Sequence, residues 1–147
     1  MTERTAADEL AAYASIKRAF VTVRFTAARQ LQKIAGVTPV QFDILYLLDS
    51  HPGGKRMHEV ADLVGVTRSG LTYQISKMED LGWVRRIPDS EDARSIWVAL
   101  TPAGEERVRM IQDAHVKLLN ERVFSRLDDD EFASLVRIMG KLAGGPA

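Results

Sequence analysis

Residues 66–86 read VTRSGLTYQISKMEDLGWVRR, and this run decides the fold. On a helical wheel from Thr67 to Leu81, Leu71, Ile75 and Met78 gather on one side, while Ser69, Thr72, Tyr73, Ser76 and Lys77 gather on the other. The outer side is polar and uncharged where the helix begins. A helix that reads base edges in a major groove needs short side chains with donors and acceptors near its N-terminus, where backbone amides also favour phosphate. Ser69, Thr72, Tyr73 and the flanking Arg68 meet that requirement. Taken alone, a solvated amphipathic helix would show the same pattern.

The order of neighbouring segments adds weight. Upstream, Met57 to Val64 reads as a short helix closing on Gly65, and Val66 and Thr67 lead straight into the polar-faced helix, which ends at Gly82. Two short helices about a tight turn form a helix-turn-helix. Downstream, Trp83–Ile87 and Ile96–Leu100 are β-rich runs around the polar tip Pro88–Ser95, which predicts a hairpin. Arg85 and Arg86 at its base and Arg94 at its tip suit phosphate or minor-groove contact if the hairpin is a wing beside a duplex. Otherwise they are surface charges paired to Asp89, Glu91 and Asp92. The two roles are compatible, with Asp92 orienting Arg94 before DNA arrives.

Further out, residues 8 to 35 form one long helix, with Tyr13, Ile16, Phe20, Val23, Ala27, Leu31 and Ile34 on an apolar stripe. At 1.5 Å per residue it would be about 40 Å long, more than the core of a domain this size can cover, so it needs a partner chain. Gly36 ends it. Thr38-Pro39-Val40-Gln41 then restarts a helix with an N-cap, a first-turn proline and a capping-box glutamine, and His51-Pro52-Gly53-Gly54 breaks it. Thr101-Pro102 opens another helix running to about Phe124, and Asp128 with Glu131 opens the last, which carries Phe132, Leu135, Met139 and Leu142. The expected domains are an N-terminal helix over 1–37, a middle lobe over 38–100 and C-terminal helices over 101–147.

Composition bounds the alternatives. The chain has 147 residues, 46% hydrophobic and 27% charged, which is ordinary for a protein that folds unaided. It has no cysteine, which excludes disulfides, thiolate nucleophiles and thiol redox sensing. Lys and Arg together number 20 and balance 20 Asp and Glu, unlike a nonspecific nucleic-acid coat protein. Even within residues 53–100, seven bases face seven acids, so a DNA-binding lobe here must segregate its charge, with Glu79 and Asp80 lying beyond the DNA face. The start Met1-Thr2-Glu3-Arg4-Thr5 lacks a secretory signal and no apolar run reaches spanning length, so a cytoplasmic protein without membrane contact is expected.

From Thr38 to Gly104 the chain resembles the winged helix-turn-helix regulators of the multiple antibiotic resistance regulator (MarR) family. The matches are Val66-Thr67-Arg68-Ser69-Gly70-Leu71-Thr72, then Met78-Glu79-Asp80-Leu81-Gly82-Trp83-Val84-Arg85-Arg86, then Asp92-Ala93-Arg94 running into Leu100-Thr101-Pro102-Ala103-Gly104. The resemblance implies a mostly α fold with a small β-hairpin wing, in a homodimer whose first and last helices interlock. Tyr13, Ile16, Phe20, Leu118, Leu135, Met139 and Leu142 are the candidates for that dimer face. It further implies a transcriptional regulator of double-stranded DNA, usually a repressor, with the helix from Thr67 in the major groove and Arg94 in the minor groove. Two lobes would bind a pseudo-palindromic site with half-sites about one helical turn apart. Family members also bind small aromatic or phenolic anions between the dimer domain and the winged lobe. Arg24, Phe42 and Tyr46 are the candidates for that contact here, although on helix periodicity Phe42 and Tyr46 are more often plain core.

Other chemistry finds little support. His58-Glu59-Val60-Ala61-Asp62 approaches a zinc pattern, but its fourth-residue ligand is aspartate and no third ligand is evident, so no metal or cofactor is expected. There is no glycine-rich phosphate loop and no Gly-x-Ser-x-Gly elbow, and three scattered histidines give no triad spacing, so no enzyme is expected. The remaining rival is a winged-helix protein-interaction module that does not read DNA.

Overall fold

The computed structural model describes residues 3–144; Met1, Thr2 and residues 145–147, at the ends of the two expected outer domains, lie outside the described residues. The elements in order are α1 (Ala6–Ala35), α2 (Pro39–Asp49), β1 (Lys55–Arg56), α3 (Met57–Val64), α4 (Arg68–Asp80), β2 (Val84–Pro88), β3 (Ile96–Leu100), α5 (Pro102–Arg122), a 3-10 turn (Phe124–Arg126) and α6 (Asp129–Leu142). The fold is mostly helical with one small antiparallel sheet. Its helix starts follow the local sequence. Thr38 and Gln41 form a reciprocal capping box on α2, and Asp128 and Glu131 form another on α6. Gly65 takes φ +76°, the left-handed conformation that lets α3 stop and turn at once into α4.

Two compact units are present. The second, Ala27–His115, holds the end of α1, the helix-turn-helix, the sheet and the start of α5. Its core is closely packed, with Leu31, Ile44, Leu45, Val60, Leu71, Ile75, Met78, Val98, Val108 and Ile111 each at most 1% exposed. The other unit comprises the chain up to Thr26 and from Val116 onward. Its apolar side chains are largely uncovered in the single chain, with Leu10, Tyr13, Phe20 and Leu142 all more than 60% exposed.

The strand order is β1-β3-β2, with Val84 opposite Leu100, Arg86 opposite Val98 and Pro88 opposite Ile96. Two features depart from expectation. Strand β1, which pairs Lys55 with Val98, has only two residues and therefore no periodicity to announce it. Helix α5 stops at Arg122 rather than Phe124, and the chain tightens into a 3-10 turn that sets the Phe124 ring edge-on to Phe132, with centroids 5.2 Å apart. No helix among the described residues is long and apolar enough to cross a membrane.

Candidate nucleic-acid interface

Helix α4 begins at a built cap: the Thr67 hydroxyl oxygen accepts the Gly70 N–H at 3.0 Å. Leu71, Ile75 and Met78 anchor the inner side of the helix in the core, which leaves Arg68, Ser69, Thr72, Tyr73 and Lys77 exposed. The Thr72 hydroxyl donates to the Arg68 carbonyl at 2.9 Å, so what it keeps for a partner is acceptor lone pairs and a methyl group. Ser69 Oγ lies 3.3 Å from Thr67 Oγ1, and the Lys77 ammonium stands 4.7 Å from the Tyr73 ring centroid.

The wing is shaped by two aspartates. The Asp89 carboxylate accepts the Trp97 indole N–H at 2.9 Å, the Glu91 N–H at 2.9 Å and an Arg56 guanidinium N–H at 3.4 Å. The Trp97 bond, and then the Glu91 bond, hold its carboxyl below the usual aspartate range. Asp92 Oδ1 accepts the Arg94 backbone N–H at 3.0 Å, and the Asp92 carbonyl accepts the Ser95 N–H at 3.0 Å. Asp92 thus orients Arg94 through the main chain rather than through a guanidinium pair. The Arg94 side chain projects exposed from a fixed turn, and Arg85 is exposed on β2.

Arg86 and Ser76 depart from the phosphate and base contacts expected of them. The Arg86 guanidinium donates to Glu79 Oε1 at 2.7 Å and to Ser76 Oγ at 2.9 Å, so both are engaged inside the lobe. The expected pairing of wing arginines with wing acids is also revised: Glu79 takes Arg86, and Asp89 takes Arg56. Arg56 is a lining residue of the candidate site that the sequence reading did not single out. It sits at the entrance to α3 with its guanidinium 5.3 Å from the Trp97 ring centroid, and the adjacent bases Lys55-Arg56 just before a helix were the available signal.

These residues converge on an open hollow of about 410 Å³ between the starts of α3 and α4 and the wing. Arg56, Arg68, Arg86, Arg94 and His58 line it with Thr72, and Asp92 is the acid among its lining residues. Two of these four arginines are ion-paired, Arg56 with Asp89 and Arg86 with Glu79, so the cationic character of the hollow rests on Arg68 and Arg94. His58, the start of the near-zinc pattern, lines this hollow, and among the described residues no three His, Asp or Glu side chains are grouped for a metal ion.

The other candidates lie apart. Phe42 is half-buried, its ring edge-on to His115 at 4.7 Å and 6.1 Å from Tyr46. Tyr46 is exposed and lines a separate hollow of about 330 Å³ with Leu47, His51 and Leu63. Arg24 belongs to the other unit, its guanidinium 5.9 Å from the Phe20 ring centroid. Of the expected dimer residues, Tyr13, Ile16, Phe20, Met139 and Leu142 are exposed, and Leu118 and Leu135 are half-buried.

A model of the MarR family matches residues 35–95. The HTH-type transcriptional regulator YkoM of Bacillus subtilis is 31% identical, covering 88% of this chain and 82% of its own length. The structure of Sco3205, a MarR family transcriptional regulator from Streptomyces coelicolor in complex with DNA, superposes with a TM-score of 0.83 at 31% identity, covering 97% of this chain and 90% of that one. The chain belongs to the MarR family. Within that MarR frame, α3 and α4 are the helix-turn-helix and β2 and β3 are the wing. The transcriptional repressor CouR, solved on a 23-mer DNA duplex, also superposes, with a TM-score of 0.72 at 25% identity over 96% of this chain and 99% of that one.

Proposed function

We propose that this protein is a homodimeric repressor that occupies a pseudo-palindromic operator and is released by a small aromatic anion. The observation that carries the reading is the hollow lined by Arg68 and Arg94 beside the exposed polar start of α4. Arg68 would meet phosphate there, Arg94 would enter the minor groove, and Ser69, Thr72 and Tyr73 would meet base edges. Thr72, with its donor already committed, suits an exocyclic amine or a thymine methyl. The DNA complexes of Sco3205 and the repressor CouR support the DNA partner and the sign of regulation. Release follows if the ligand binds one separation of the two reading helices better than the other, because its differential affinity then lowers affinity for the operator. The Tyr46 ring offers such a ligand an aromatic face.

A gel shift on the DNA upstream of the chain's own coding sequence tests this reading. Arg94→Ala should weaken binding to all duplexes and flatten the salt dependence by about 0.9 per lost phosphate contact. Thr72→Ala should blunt sequence discrimination by about 1 kcal/mol. The neutral charge of residues 53–100 is the observation that favours the rival protein-interaction module. Wild-type protein showing no operator preference would establish that rival instead.

A further inference from the structure

We propose that Arg86 is a positioning residue that sets the wing against the reading helix and does not itself touch DNA; this rests on the DNA-binding reading above. Helix α4 and strand β2 are joined by Leu81, Gly82 and Trp83, and the Gly82 and Trp83 N–H groups donate to the Glu79 and Met78 carbonyls at 2.9 Å, which ties the link to the end of α4 but not to its exposed face. Arg86 adds a second tie, along that face. Its backbone N–H donates to Glu79 Oε2 at 3.0 Å, and its guanidinium donates to Glu79 Oε1 at 2.7 Å, to Ser76 Oγ at 2.9 Å and to the Thr72 carbonyl at 3.5 Å.

Positions 72, 76 and 79 form one stripe along α4, spaced as neighbours on a single helix face. A rigid planar fork bonded along that stripe fixes both the rotation of α4 and its distance from β2. Thr72, expected to meet a base, and Arg94, expected to enter the minor groove, are thereby held in one frame. The pair is also electrically closed: Glu79 cancels the Arg86 charge, so Arg86 adds no net cation to the DNA face.

That cancellation makes the sign of the test decisive. Removing an acid from a DNA-binding lobe should tighten binding through the general field; removing the acid of a clamp should loosen specific binding. An operator duplex is selected from a random-sequence pool with wild-type protein, and affinities for it and for a scrambled duplex are measured by anisotropy across a salt series. Glu79→Ala should lower operator affinity about tenfold, in line with coupling inside one hydrogen-bond network, while affinity for the scrambled duplex holds or rises. Arg86→Gln should show the same operator loss with an unchanged salt slope, and Ser76→Ala a smaller loss in the same direction.

Operator binding by Glu79→Ala at or above wild-type strength overturns the clamp, as does a salt slope for Arg86→Gln reduced by about 0.9 per protomer, the mark of a lost phosphate. Should Glu79→Ala fail to fold, full operator affinity in Ser76→Ala overturns it equally. Failure of the wild type to select any operator sinks the DNA reading itself, a result distinct from these.

Discussion

Gly104 lies in the first turn of α5, where a Cβ would collide with the Trp83 carbonyl oxygen, an atom that also accepts the Thr101 N–H at 3.0 Å. Backbone on both sides leaves no flexible side chain to give way, so Gly104→Ala should cost about 2 kcal/mol, read as a lower urea midpoint at constant m-value. His115 is a second site where one side chain has a measurable consequence. It is nearly buried, Nδ1 lies 3.3 Å from Gln30 Oε1, and burial lowers its pKa from the ordinary 6.5. The neutral ring is favoured in the folded state, so Nδ1 carries the proton toward the Gln30 oxygen. As pH falls through 6.5 the unfolded chain takes up a proton that the folded chain resists, and this contribution to stability is lost on the acid side. Urea midpoints at pH 7.5 and 5.5 should differ less in His115→Gln than in the wild type. At this scale the sequence revealed which residues are polar, exposed or basic, but not which partner each would take. Arg86 has Glu79, seven positions back in the chain, and Arg56 has Asp89, 33 positions on, and neither choice follows from local pattern.

Elements were far more legible, because caps and glycine punctuation act within four residues. The starts at Thr38, Thr67 and Asp128 and the αL stop at Gly65 all use local chemistry that a sequence displays openly. The two-residue β1 and the 3-10 turn after α5 owe their existence to a strand and a ring elsewhere in the fold, and local patterning carries no trace of them. The caps also permit a comparison. Thr67→Ala and Asp128→Ala each remove one N-cap acceptor and should each cost about 1 kcal/mol in thermal or urea unfolding. Only the first disturbs the turn from which Arg68, Ser69 and Thr72 project, so only Thr67→Ala should also weaken operator binding in a gel shift.

For the molecule as a whole, the contrast between the two units is the governing fact. The second unit holds the buried apolar core, with Tyr46, Leu63, Tyr73 and Leu81 among the side chains it leaves exposed. The other unit leaves Leu10, Tyr13, Phe20, Phe25 and Leu142 uncovered and has no apolar side chain among the fully buried ones described. Exposed apolar surface on this scale marks an interface. Sedimentation at micromolar concentration should therefore give a dimer, and Phe20→Asp combined with Leu142→Asp should shift it towards monomer and abolish operator binding. The apolar stripes at both ends of the chain were readable in the sequence from their spacing; the division at Thr26 and His115 was not, since α1 and α5 each run through it without a break. The sheet order places β2 on the outside, and a strand with an unpaired margin invites a foreign strand to zip onto it. Here the Arg86 N–H on that strand is already taken by a side-chain carboxylate, and Pro88 denies a donor at its end. The proposed dimer would carry two such ribbons and could present them to a duplex without polymerising through them, which should keep the protein dispersed at high concentration in the absence of DNA.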